Sequence, residues 1–183
     1  LWRYDLKGNH LEFISLEKNN ISNPCSINIF EKDKIVIFDS NSFHFHILDM
    51  NLKSIENFCI KPNILISSMY YDDASKSLYC VEKINGSIFV VEMDNNFQFN
   101  TIVSDDSLTN PNWITKDGSE TLLIADSGNH RIIQYNIKTK KNRSQLEYGR
   151  NGNGKVRNPS CIIPSEKYFY VFDYENYLIQ VFD

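Results

Sequence analysis

Four stretches of the chain align without a gap: DSNSFHFHILD (39–49), EKINGSIFVVE (82–92), DSGNHRIIQYN (126–136) and DYENYLIQVFD (173–183), their first residues 43, 44 and 47 positions apart. A period of this length constrains the fold more than any other feature, because each repeat must be one supersecondary unit that buries its apolar surface against its neighbours. Each stretch begins with an acid, Asp39, Glu82, Asp126 or Asp173. Each carries Ser42, Asn85, Asn129 or Asn176 at the fourth place and Phe45, Ile88, Ile132 or Ile179 at the seventh. The opening LWRYD fits the last five places of the same pattern, so the chain starts inside a repeat.

Before each stretch stands a short apolar run, IVIF, LYCV, LLIA or FYVF, which reads as a strand buried on both faces. Further upstream lie Asn23-Pro24, Asn63, Asn110-Pro111 and Asn158-Pro159. Proline pushes the preceding residue toward extended backbone and is tolerated at a strand start, so these positions predict the first strand of each unit. The unit is thus strand a after the Asn-Pro, strand b ending at the acid, a turn, strand c, and a more variable strand d. Four short strands in this length, with no amphipathic helical window between them, predict an all-β fold: a β-propeller of four-stranded antiparallel blades, about four of them present. The expected divisions are 1–22 (end of a blade), 23–62, 63–109 and 110–157 (whole blades) and 158–183 (start of a further blade). That is about 17 strands and an incomplete ring whose open edges are a liability, so the native protein is expected to extend in both directions or to be completed by another chain.

The chain lacks the Gly-His and Trp-Asp signatures of WD repeats and the double glycine of kelch blades. ADSGNHRIIQYN together with YGRNGNGKVRNP instead resembles the NHL repeat, whose blades carry a DSGNHRI-like turn and a glycine-rich connection to the next blade. The third repeat matches strongly, the fourth well through IQVFD, and the first two are divergent. The resemblance covers the whole chain and implies a parent of about six blades.

Simple physical chemistry accounts for much of the turn. Asp126 and Asn129 make local backbone hydrogen bonds, Gly128 is expected to supply a positive φ, and Ile132 and Tyr135 are expected to pack between blades. Asp39, Glu82, Asp126, Gly128, Asn129 and Asp173 are therefore assigned to the repeat turns as structural residues.

GRNGNGK (149–155) fits the core of a phosphate-binding loop, but Val156 replaces the hydroxyl that would hold magnesium, and Pro159 denies the loop its helix. No nucleotide is expected at residues 149–155. His44 and His46 alternate on strand c and share a face, yet no third ligand lies close in sequence, and His130 belongs to the turn. Some propellers with similar repeats are metal-dependent lactonases or lyases with ligands around the central channel. Asn23, Asn63, Asn110 and Asn158 would lie there, but no carboxylate accompanies them. No catalytic residue, metal or cofactor is assigned. Cys25, Cys59, Cys80 and Cys161 form no CxxC pair and read as buried free thiols. Sequons at Asn20, Asn85 and Asn142 are as many as chance provides, and no signal peptide or membrane span is visible, so no membrane insertion is expected and the compartment stays open.

A formal net charge of −4 argues against a surface that attracts nucleic acid as a whole. Local basic clusters remain. Antiparallel blades put the b–c and d–a connections at one end, which gathers Arg131, Arg150, Lys155 and Arg157 there, while Lys138, Lys140, Lys141 and Arg143 fall at the other. The first group suits an acidic peptide, a phosphate group or single-stranded RNA. Tyr148 alone offers aromatic stacking in that loop, so a protein partner is favoured over RNA. The function read from the sequence is a non-enzymatic interaction scaffold.

Overall fold

The computed structural model describes residues 2–103, 108–118, 120–146 and 155–182, with backbone alone for 142–146. The chain divides into two compact units, Leu1–Pro62 and Asn63–Asp183.

In the first unit, β1 (Trp2–Tyr4) and β2 (His10–Phe13) form an antiparallel hairpin. Its turn is held by Asp5 Oδ1, which accepts the N–H groups of Lys7 and Asn9 at 2.8 Å each. A meander of β3 (Pro24–Phe30), β4 (Lys34–Asp39), β5 (His44–Asp49) and β6 (Ser54–Phe58) makes a four-stranded sheet in sequence order. Period-two alternation gives β4 two apolar faces. Ile35 and Ile37 join Leu48, Leu52, Leu16 and Ile21 on one, while Phe38 meets Phe45 at a tilt (4.8 Å between ring centroids) and Phe45 stacks on Phe58 (4.9 Å).

The second unit repeats the plan. β7 (Ile66–Asp72), β8 (Ser77–Glu82), β9 (Ile88–Glu92) and β10 (Gln98–Val103) make one four-stranded sheet. β11 (Trp113–Asp117), β12 (Thr121–Asp126), β13 (Arg131–Asn136) and β14 (Lys141–Leu146) make another. β15 (Pro159–Pro164), β16 (Phe169–Asp173) and β17 (Leu178–Phe182) make a three-stranded sheet. All ladders are antiparallel, and there are seventeen strands among the described residues. This is β-propeller architecture.

The middle sheet shows why the apolar runs are continuous. On β12, Leu122 and Ile124 face the β7–β10 sheet, where they meet Tyr79, Val81 and Ile88. Leu123 and Ala125 face the other way and meet Ile162, Phe169 and Val171 of the last sheet. Ile132 packs on that same side and Tyr135 on the opposite one, between sheets as the sequence predicts. Each such aliphatic side chain contributes about 1.5–3 kcal/mol on full burial.

Two sequence expectations are corrected. Asn110 and Asn158, each before a proline, are left-handed (φ 47° and 57°) rather than extended, and Asn63 is too (φ 61°). Asn tolerates this region because its short polar side chain bonds locally. Gly128 does not supply the positive φ of its turn. It sits in a single 3-10 turn, Ser127–Asn129, and the left-handed residue is His130 (φ 55°). Glycine is required at 128 for space, since a Cβ there would stand 2.6 Å from the Thr109 carbonyl oxygen.

One ion pair crosses between sheets of the second unit. Lys116 Nζ on β11 lies 2.7 Å from Asp72 Oδ2 on β7, the two side chains only 8% and 10% exposed, and the Ser75 hydroxyl donates to the same oxygen at 2.7 Å. Burial works to raise the Asp72 carboxyl, but the Lys116 and Ser75 hydrogen bonds outweigh it and hold the group below the usual carboxylate range. The pair therefore stabilises the fold above the unfolded-state value of about 3.9 and loses that contribution as pH falls through the lower folded-state value. Lys116→Met is expected to cost about 3–5 kcal/mol in urea unfolding at pH 7, because Asp72 is left buried and uncompensated. The difference from wild type should shrink below pH 4, where protonation relieves the stranded charge; a difference independent of pH would refute this account.

Candidate functional site

The repeated acid closes strand b, and its carboxylate is buried in every repeat: Asp39, Glu82, Asp126 and Asp173 are all essentially inaccessible. A buried carboxylate is tolerated only with several donors. Asp126 has three. Oδ1 accepts the Thr109 N–H at 2.7 Å, and Oδ2 accepts Asn129 Nδ2 at 2.9 Å and Arg131 Nε at 2.6 Å. Asp173 repeats the scheme with the Arg157 N–H at 2.9 Å, Asn176 Nδ2 at 2.8 Å and Gln180 Nε2 at 2.6 Å. Asp39 takes the Asn23 N–H at 2.6 Å, with the Ser42 hydroxyl at 2.7 Å and its N–H at 3.1 Å. One oxygen thus ties the b–c turn to the segment leading into strand a, and the other holds the residue at the fourth place.

Glu82 departs from this. Its longer side chain folds over its own turn and accepts the N–H groups of Ile84 and Asn85, while the tie to the lead-in is the backbone bond from Lys83 N–H to the Leu65 carbonyl at 2.8 Å.

The fifth place completes the corner. Phe43, Gly86, His130 and Tyr177 occupy it, and all four have φ between 55° and 62°. Sequence reasoning missed this because glycine, the residue that favours positive φ, stands there once only. His130 does more: its Nδ1 accepts the Asn158 N–H at 3.0 Å, joining the corner of the β11–β14 sheet to the lead-in of the next. The Ser127 hydroxyl donates to the Pro159 carbonyl beside it.

These corners carry the basic residues singled out from the sequence. Arg131 is paired with Asp126, and Arg157 is paired with Glu175, each side chain less than a third exposed. Lys155 is exposed, and its backbone carbonyl accepts Gln180 Nε2 at 2.7 Å. Arg150 and most of GRNGNGK lie outside the described residues. Beyond them, Val156 is buried among Leu123, Ile132 and Ile162, and β15 begins at Pro159. Lys138 lies 3.4 Å from Glu120 at the opposite end of the same sheet.

Among the described residues, no three His, Cys, Asp or Glu side chains come together as metal ligands. His46 is buried, and burial, opposed by Asp39, holds its imidazole below the usual range. Of the four cysteines expected to be buried, Cys80 is, and burial alone pushes its thiol well up, so it packs as a small apolar group, whereas Cys25 and Cys59 are exposed and Cys161 is half-buried. No helix among the described residues is long and apolar enough to cross a membrane.

No family model matches the chain, and no curated protein matches it. Solved structures do. An auxiliary nutrient binding protein from Bacteroides ovatus is similar with a TM-score of 0.77 at 12% identity, over 96% of this chain and 50% of that one. Its counterpart from Bacteroides thetaiotaomicron gives 0.73 at 12%, over 88% and 49%. Virginiamycin B lyase from Staphylococcus aureus gives 0.63 at 15%, over 88% and 55%. The likeness is one of β-propeller fold, and the chain spans about half the length of these structures.

Two outcomes check the corner. Asp126→Ala is expected to cost about 3–5 kcal/mol, since it removes at once the buried acceptor shared by the Thr109 N–H, Asn129 and Arg131; Gly128→Ala should cost about 1–3 kcal/mol through the clash with Thr109. Both are read from denaturant midpoints. Burial tends to raise the Asp39 carboxyl, but bonds from Ser42 and the Asn23 N–H more than offset this, and the group is held below its ordinary value. Its contribution is present above about pH 4 and lost on acidification. Asp39→Asn should therefore flatten the fall in melting temperature between about pH 5 and pH 3.

Proposed function

We propose that this chain is an NHL-type propeller segment acting as a non-enzymatic interaction module, which takes a protein partner on the end of the blades where the b–c corners lie. The observation that carries the reading is the corner itself. Its turns are clamped from inside by buried carboxylates, so outward side chains stand on backbone that loses little entropy on binding. Loops on a rigid scaffold are where binding residues concentrate. Two of the similar solved propellers are described as binding proteins, in keeping with such a role.

Within this surface the cations divide. Arg131 and Arg157 already serve Asp126 and Glu175, so a partner must share them; Lys155 has an exposed side chain on a tethered backbone. Arg150 belongs to the same connection in sequence. An acidic segment of a partner protein is the complementary chemistry, and exposed charges of this kind act mainly on association rate and specificity.

A panel of acidic peptides titrated against the chain tests this. Lys155→Glu is expected to weaken the best binder about fivefold to tenfold, chiefly through the on-rate, while Lys155→Arg retains it. Unchanged affinity after charge reversal at Arg131, Lys155 and Arg157 together would sink the proposal. Tighter binding of single-stranded RNA than of any peptide, with a steep salt dependence, would replace the protein partner by RNA.

A further inference from the structure

The eighth place of the repeat is inaccessible in every corner: His46, Phe89, Ile133 and Gln180 are at most 8% exposed. Phe89 and Ile133 need no partner there. Gln180 does, and it has two, since its Nε2 donates to Asp173 Oδ2 at 2.6 Å and to the Lys155 carbonyl at 2.7 Å. His46 holds the same place after a buried acid, yet no hydrogen-bond partner among the described residues meets its Nε2.

The difference lies in how Asp39 is satisfied. Its Oδ1 takes the Asn23 N–H, and its Oδ2 takes both the hydroxyl and the N–H of Ser42. Ser42 thus supplies alone what Asn176 and Gln180 supply together in the last corner. Around the ring the surroundings are largely apolar. Ile37 of β4 and Asn57 of β6 are its cross-strand partners, and Leu16 and Ile21 cover the face that it shares with Ile37 and Leu48. Glu56 pairs with Ile47 and so lies on the other face, while Glu17 and Lys18 are exposed. Burial opposes a proton on the ring most strongly, Asp39 favours one, and His44 opposes it.

A neutral imidazole with its proton on Nδ1 leaves Nε2 as a bare acceptor, which is a modest cost. The imidazolium turns the same atom into a buried N–H with nothing to receive it, and adds a desolvated charge.

We propose that the first corner is an acid-sensitive latch, in which protonation of His46 loosens the hold of Asp39 on the lead-in and the turn. The charged ring is relieved only by swinging out to water or by drawing the Asp39 carboxylate to itself. Swinging out opens the face that Leu16 and Ile21 cover, and drawing the carboxylate takes Oδ2 from Ser42, so by either route the corner slackens. The contribution of the neutral ring is whole above the unfolded-state value of about 6.5 and is lost as pH falls through the lower folded-state value. That loss begins well above the range in which Asp39, held below its own ordinary value, takes up a proton. No step depends on a partner at the corners, so the latch does not rest on the reading given under Proposed function.

Hydrogen exchange of the 183-residue chain tests it. The amides to follow are those of Asn23 and Ser42, which Asp39 holds, with the Lys83 N–H of the second corner, bonded to the Leu65 carbonyl, as the internal control. Corrected for the intrinsic effect of pH, protection at Asn23 and Ser42 should fall between about pH 7 and pH 5 by up to tenfold per unit, while Lys83 keeps its protection. His46→Gln and His46→Phe, which install the eighth residue of the fourth and second corners, are each expected to abolish the fall. Far-UV circular dichroism shows whether the variants fold, and if neither does, the wild-type profile still decides. A fall that survives in a folded variant, an equal fall at Lys83, or wild-type protection independent of pH over this range overturns the proposal. So does an NMR titration in which the His46 ring takes its proton at or above about pH 6.5.

Discussion

The corner of each blade depends on one buried carboxylate. Desolvating that charge is expensive, and the expense is met only when several donors converge on it. Convergence fixes geometry. Asp126 can be satisfied only if Thr109, Asn129 and Arg131 stand where they do, which sets the end of β12, the start of β13 and the path of the segment entering β11. The blade-to-blade contact follows, since His130 and Ser127 then meet Asn158 and Pro159 of the next lead-in.

The same interaction explains how far the repeat can drift. The oxygen that faces the lead-in accepts a main-chain N–H, so the side chain there is free to be Asn23, Thr109 or Arg157. The oxygen that faces the turn accepts from an Asn side chain in two corners, which is why Asn129 and Asn176 agree. In the first corner Ser42 supplies hydroxyl and N–H together, and in the second Glu82 uses N–H groups alone. The ladders keep the Asn-Pro pairs in register, since Pro24 lies opposite Asp39 and Pro159 opposite Asp173, and it is the tie to the acid that shifts by one residue, from Asn23 in the first corner to Arg157, the residue before Asn158, in the last.

Much of the fold was legible because it rests on local chemistry: acid, turn, seventh-place hydrophobe and two-faced apolar runs are readable within one repeat. What was not legible depends on partners distant in sequence. Nothing local marks Lys116 as the mate of Asp72, because the two meet only when strands a of adjacent sheets come side by side. Gly128 was assigned to the right turn for the wrong reason, since its need for space comes from the Thr109 carbonyl rather than from its own φ. The left-handed fifth place was hidden because Phe43, His130 and Tyr177 are not residues that announce it; the corner holds them there against a cost of roughly 1–2 kcal/mol each. The charges show the same limit: a count of basic residues near the loops could not say that Arg131 and Arg157 are already engaged by Asp126 and Glu175.

This engagement separates the two jobs that charge does in the molecule. A guanidinium paired with an inaccessible carboxylate is fixed in place, and withdrawing it to serve a partner would strand the charge it leaves behind, at a cost comparable to breaking a buried pair. Arg131 is in that position and Arg157, whose mate Glu175 is partly exposed, only in part. Among the described residues the Lys155 side chain has no such duty, and Gln180 holds its backbone from within. The carboxylates and backbone set where the chain runs, and the cation clear of that network is the one we propose for an acidic partner.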